Sequence, residues 1–305
     1  MKKFIKGLLF IILITVIVDR GAGYAFQYFY RITTTTDENK ITATILNTHA
    51  PILFMGSSRC HHHYIPSIIG DSLQCDVYNA GLWGMRNIYF QYGLLCNTLE
   101  RYHPRIILLE IHPIDYLQTP YSGIERVSSL APFINYSSGC DEVLKEANLY
   151  YKCKLSCLYR YNSEWANVLM GNLSKRSQEK DKGFKPLVTQ LDTLHQQIEP
   201  ESFFFPPDER KIHYLHAFIN KCKSEKIDLI FLYSPMYATH EKTNLFHIPD
   251  SLAQQENILF INHYRLEGIT GHTEYYADFG HLNERGAEKY SSIIATELKK
   301  YLIKK

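Results

Sequence analysis

Three short stretches carry the side chains best suited to chemistry. Gly56-Ser57-Ser58-Arg59 follows a short apolar run, Asn79-Ala80-Gly81 follows another, and Asp278-Phe279-Gly280-His281-Leu282-Asn283 precedes the last helical stretch. A serine hydroxyl is a poor nucleophile at neutral pH. An imidazole in hydrogen-bond reach can take its proton, and a carboxylate can hold that imidazole in one tautomer. Asp278 and His281, three apart on one loop, can bring their side chains together. Ser58, His281 and Asp278 therefore read as nucleophile, base and orienting acid. Each stretch also has a plainer reading. Gly-x-Ser after a strand is commonly a turn or cap, and Asp-x-x-His before a helix can simply cap it.

Arg59, beside the serine, can bind an anionic substrate or form an ion pair that fixes the loop. His61-His62-His63 has the look of a metal cluster, but adjacent side chains diverge and no Glu-x-x-His partner is near. The three read instead as pocket lining or helix caps, and neither metal nor cofactor is expected. Lys182–Pro186 and Phe203–Pro207 read as lid or pocket-wall segments, or as ordinary loop packing.

The elements that must position these groups can be read from hydrophobic pattern. Continuous apolar runs at 51–55, 75–78, 105–111, 227–233 and 258–262 predict five strands buried on both faces. Helical spacing over 86–102, 211–226 and 284–303 predicts helices between and after them, with Asn283 as N-cap of the last. Alternation of strand and helix predicts α/β architecture: a three-layer α/β/α sandwich on a mostly parallel five-stranded sheet. About 115 residues separate the third and fourth strands, so 116–205 reads as an insertion, helical around 140–172 and irregular around 181–207.

With the blocks placed, the chain resembles the SGNH/GDSL hydrolase superfamily, and more specifically a divergent membrane-anchored bacterial branch with a GSSR first block. Gly56-Ser57-Ser58 stands where that family has Gly-Asp-Ser, Asn79-Ala80-Gly81 where it has its second block, and Asp278-x-x-His281 where it has its last. The resemblance covers roughly 50–115 and 210–303. It implies a flavodoxin-like sandwich and removal or transfer of acyl groups, with the Ser58 and Gly81 amides as oxyanion donors. The third block departs: Glu110-Ile111-His112-Pro113-Ile114-Asp115 lacks the family's Asn, and His112 is the candidate to replace it. Arg59, Asn79 and His112 are the candidate substrate-binding side chains.

The 305 residues carry a formal net charge of only +2, and no nucleic-acid motif accompanies it, so no nucleic-acid partner is expected. Seven cysteines match no zinc spacing. Lys2, Lys3 and Lys6 precede the apolar run Gly7–Val18, which Asp19 and Arg20 close. A positive start before an apolar core reads as a secretion signal or anchor, with Gly23 and Ala25 as a cleavage alternative. The expected organisation is a signal-anchor or transmembrane segment over 1–30, a linker over 31–49 and the hydrolase-like domain over 50–305. The domain then lies on the extracytoplasmic (periplasmic) side of the inner membrane, single-pass. The expected function is a serine esterase or O-acyltransferase on acyl, by resemblance acetyl, esters of an envelope or secreted glycan. A membrane acyltransferase fits as a partner. The alternative is an inactive scaffold or glycan-binding envelope protein of the same fold.

Overall fold

A computed structural model describes residues 1–33, 37–120, 122–162, 164–173, 181–192, 202–239 and 242–304. Five parallel strands form its centre: β1 (Ile52–Gly56), β2 (Val77–Asn79), β3 (Ile106–Glu110), β4 (Asp228–Tyr233) and β5 (Leu259–Asn262), in the order β2-β1-β3-β4-β5. Gly56 pairs with Glu110, and Glu110 with Leu232. The carboxyl ends of the three central strands are thus level, and the segments leaving them share one rim.

Side chains alternate across the sheet, as period two requires. Leu53, Met55, Ile107, Leu109, Phe231 and Tyr233 face one core with the helices Ile88–Leu99 and Glu209–Ser224. Ile52, Phe54, Ile106, Leu108, Ile230 and Leu232 face the other, with Pro66–Leu73 and the closing helix Glu284–Lys304. Burial on both faces is why the strands read as unbroken apolar runs. The predicted α/β/α sandwich is the observed one.

The insertion is helical over Ser138–Glu146, Tyr150–Leu155 and Trp165–Leu173, and it adds a 3-10 run, Ile124–Phe133, that periodicity does not announce. Part of the stretch expected to be irregular, 193–201, lies outside the described residues, as do 34–36 of the Thr-rich segment.

The N-terminal region differs most from expectation. Lys2–Ile32 is one helix, and its second half packs on the insertion. Asp19 accepts from the Cys157 amide at 2.8 Å and the Leu158 amide at 3.2 Å. Gly23, read as half of a cleavage signal, is buried where a Cβ would meet that of Cys157 at 2.3 Å. The first half of the helix, including Leu8–Ile14, is exposed. Among the described residues no helix is long and apolar enough to cross a membrane. The apolar run stops at Val18, and 12 residues rise ~18 Å, short of a hydrocarbon core of ~30 Å.

The segment read as a linker is also part of the body. Asp37–Thr42 is helical and continues into a π-turn, Ala43–Asn47, burying Ile41 and Ile45 in the main core. Buried Lys40 donates to the carbonyls of Gly81 and Gly183, tying this segment to the second block and the insertion.

Candidate active site

β1 runs into the helix Ser58–His63 through a turn that needs glycine: Gly56 has φ +146°, and a Cβ there would lie 2.9 Å from the Glu110 carbonyl. That turn puts Ser58 on the rim. The Asp278–Asn283 loop is pinned at the same rim. The Ala277 amide donates to the His281 carbonyl at 2.9 Å, and Asn283 Oδ1 caps the closing helix by accepting from the Gly286 amide at 3.0 Å.

The three side chains meet. His281 Nδ1 lies 2.9 Å from both Asp278 carboxylate oxygens, and Nε2 lies 2.8 Å from Ser58 Oγ. A carboxylate only accepts, so Nδ1 carries the proton and Nε2 is left to accept from the Ser58 hydroxyl. Burial alone would raise the Asp278 pKa. The His281 ring and the Gly280 and His281 amides outweigh it and hold the carboxyl below its ordinary value. This arrangement can draw a proton from a hydroxyl while keeping the base in one orientation.

Beneath lies a buried polar cluster. Arg59, expected at the substrate, points inward instead. It pairs with Glu110 at 3.2 Å, donates to Ser234 Oγ at 2.8 Å, and sits 4.5 Å from the Tyr233 ring centre. The ion-pair alternative is the one observed, because a buried guanidinium requires a counter-charge and acceptors. Glu110 also accepts from the Ser234 amide at 3.0 Å, the Ser234 hydroxyl at 2.6 Å and the Tyr64 hydroxyl. The Leu282 amide donates to His63 Nε2 at 3.0 Å, so His63 Nδ1–H donates to Ser234 Oγ at 2.7 Å. One network thus joins the nucleophile's helix, the ends of β3 and β4, and the residue after His281.

Asn79 and Gly81 are also corrected. Asn79 is fully buried and donates to the Cys60 and Tyr64 carbonyls at 2.7 and 2.8 Å, so it binds this chain and not a substrate. Its Oδ1 accepts from the Gly81 amide at 2.9 Å, so the amide expected in the oxyanion hole is engaged. Gly81 is needed for another reason: a Cβ there would lie 2.5 Å from the His61 amide nitrogen. The Ser58 amide has no hydrogen-bond partner among the described residues.

His112 stands at the rim, stacked on Tyr233 at 6.2 Å. Its Nδ1 is buried without a partner among the described residues, and burial pushes its pKa down to about 3, so it is a neutral donor or acceptor. His61 and His62 stack at 4.7 Å. His62 Nδ1 donates to the Lys185 carbonyl at 2.7 Å, and burial lowers its pKa to about 4. Among the described residues no group of three or more His, Cys, Asp or Glu is arranged to hold a metal. Phe184 of the first lid candidate is buried beside Ile65 and Ala287, which is ordinary packing.

Glu110 and Trp83 are the site residues that sequence reasoning misses, while His63, read as pocket lining or a helix cap, instead accepts from the Leu282 amide. A carboxylate closing an apolar strand, as in Arg105–Ile111, is the available signal for Glu110. Trp83 has none: its ring lies 6.1 Å from that of His281, and nothing in its loop announces that.

No protein-family model matches the chain, and no curated protein matches it. A solved structure from Desulfitobacterium hafniense DCB-2, described as a lipolytic protein of the G-D-S-L family, is similar at 12% identity, covering 80% of this chain and 97% of that one, with a TM-score of 0.39. A likeness at that level carries no argument.

Proposed function

We propose that this chain is a serine ester hydrolase or acyltransferase working through Ser58, His281 and Asp278. The observation that carries the reading is the continuous hydrogen-bonded chain from the Asp278 carboxylate through the His281 ring to the Ser58 hydroxyl. Ser58 Oγ attacks an ester carbonyl, His281 takes the hydroxyl proton, and the leaving alcohol receives it. Water or a second hydroxyl then releases the acyl group by the reverse steps. The Ser58 amide supports the oxyanion, with His112 as the donor to test beside it.

The lysine-flanked, exposed apolar start of the first helix supports attachment to a membrane with the body outside the cytoplasm. That placement favours an acylated envelope or secreted glycan as substrate, acetyl by resemblance, and leaves room for a membrane acyltransferase as donor.

The protein should hydrolyse a short-chain acyl ester. Ser58→Ala should remove at least about 10^4-fold of kcat while leaving the circular dichroism unchanged. Activity retained in that variant refutes the assignment. One observation favours the inactive scaffold instead: the Gly81 amide is engaged by Asn79. If so, the wild-type serine resists a fluorophosphonate probe.

A further inference from the structure

The second half of the first helix has two faces. Asp19, Gly23, Phe26 and Tyr30 turn toward the insertion, where Phe26 stacks on Tyr161 at 5.7 Å and Tyr30 is buried. Gly21, Tyr24, Ala25, Tyr28 and Ile32 recur at helical spacing on the other side, and all are exposed. That stripe holds no charge, and it continues the exposed apolar run that ends at Val18.

Two insertion helices lie alongside and present the same kind of surface. Arg20 donates to the Leu155 carbonyl at 3.2 Å, and Asn172 donates to the Phe29 carbonyl at 3.0 Å and to Thr33 Oγ1 at 2.7 Å. Tyr150–Leu155 and Trp165–Leu173 are thereby held along about 20 Å of the first helix. Leu155 is 81% exposed, Trp165 55% and Leu173 82%. Among the described residues these two helices show six exposed large apolar side chains, as many as all the rest of the chain outside the first helix. Single apolar residues on a surface are ordinary, but a set gathered in one place marks a contact.

The charge around this face indicates what it meets. Segments 1–33 and 148–173 carry eight Lys and Arg against Asp19 and Glu164, a formal +6 in a chain whose total is +2, which leaves the remainder at −4. Glu164 is buried and Asp19 is taken up by the Cys157 and Leu158 amides, while Lys152 and Lys154 are exposed. An apolar face set among cations, with Tyr and Trp in it, suits the headgroup level of an anionic bilayer. A second copy of the chain would bring the same cations to the contact and be repelled.

Resting on the membrane attachment read from the start of the first helix, we propose that the insertion is a second lipid contact. Tyr24 and Tyr28 of the first helix, and Leu155, Trp165 and Leu173 of the insertion, rest on an anionic membrane surface. The bilayer then meets the body along a face and not at a single stem. The Asp19 and Asn172 bonds fix the angle between helix and body.

The chain has two tryptophans, so emission from a Trp83→Phe protein reports Trp165 alone. The full chain is bound to vesicles of phosphatidylglycerol and phosphatidylcholine, with and without brominated acyl chains. Sedimentation with the vesicles reads attachment, and Trp165 emission reads the second contact. The expected result is a blue shift on binding and quenching by the brominated lipid. Leu155→Glu with Leu173→Glu, at two positions too exposed to matter for folding, should cut that quenching about twofold or more while sedimentation persists. Comparing quenching in the native chain with that in Trp165→Phe gives the same reading without touching Trp83. Unshifted, unquenched Trp165 in protein that sediments with the vesicles overturns the proposal and leaves attachment standing. No sedimentation removes both. A blue-shifted Trp165 without lipid, in a chain that runs as a dimer, assigns the face to a second copy and equally overturns the proposal.

Discussion

Two carboxylates serve the same rim in opposite settings. The Asp278 side chain is 46% exposed and meets an imidazole across one loop. The Glu110 side chain is 1% exposed and meets Arg59 and Tyr64 from the helix Ser58–His63 and its C-cap, and Ser234 from the end of β4. The open pair lets the imidazole take and return a proton while the carboxylate stays ionised, which is what a base and its orienting acid require. The closed cluster cannot lose a member without leaving a buried charge or hydroxyl unpaired. Water access separates the group that reacts from the groups that hold it in place.

The contrast can be broken most sharply at Asp278. Asp278→Asn keeps the size but disfavours the useful tautomer, so kcat on a short ester should fall on the order of 10^4-fold while the urea midpoint moves little. Glu110→Ala should do the reverse. Stripping Arg59 of its buried counter-charge should cost about 3–5 kcal/mol in urea unfolding. Adding Arg59→Met should recover much of that loss, since no charge is then stranded.

Acid should separate the regions as well. His62 and His112 have folded pKa values near 4 and 3, below the ordinary 6.5, so the unfolded chain binds protons that the native one refuses. Their contribution is complete above pH 6.5 and is lost as pH falls toward 4 and 3, a loss on the order of 3–5 kcal/mol for each. Urea midpoints across that range should fall, and replacing both with Gln should flatten the curve. A smaller effect is expected of His63→Ala, which leaves the Leu282 amide without its acceptor. About 1–3 kcal/mol of stability should go. Activity should drop further than Ser234→Ala makes it, because the His281 loop loses its anchor directly.

The same contrast governs what is legible in the sequence. Strands covered on both sides must be apolar throughout, so β1, β3 and β4 stand out as runs. Ser58, Asp278 and His281 sit in short blocks at strand and helix ends, where local order alone marks them. The Arg59–Glu110 pair joins residues whose contact depends on the register of β1 against β3, and nothing near either residue states it. Arg59 admits two readings for that reason. Asn79 and Gly81 stand in the expected block, yet their bonds close on each other. The first helix, read as one segment over 1–30, spans Lys2–Ile32, but its docking is not legible because the Asp19 contacts to Cys157 and Leu158 are long-range. Trp83 escapes notice because an aromatic residue in a loop carries no spacing signal.

The central claim is that His281 activates Ser58, and adduct mapping after brief exposure to a fluorophosphonate tests it most directly. The account predicts a single phosphonate on the peptide carrying Ser58 in the native protein, and its loss in His281→Gln with the fold retained. An unlabelled Ser58 in the native protein, or equal labelling in both, would contradict it.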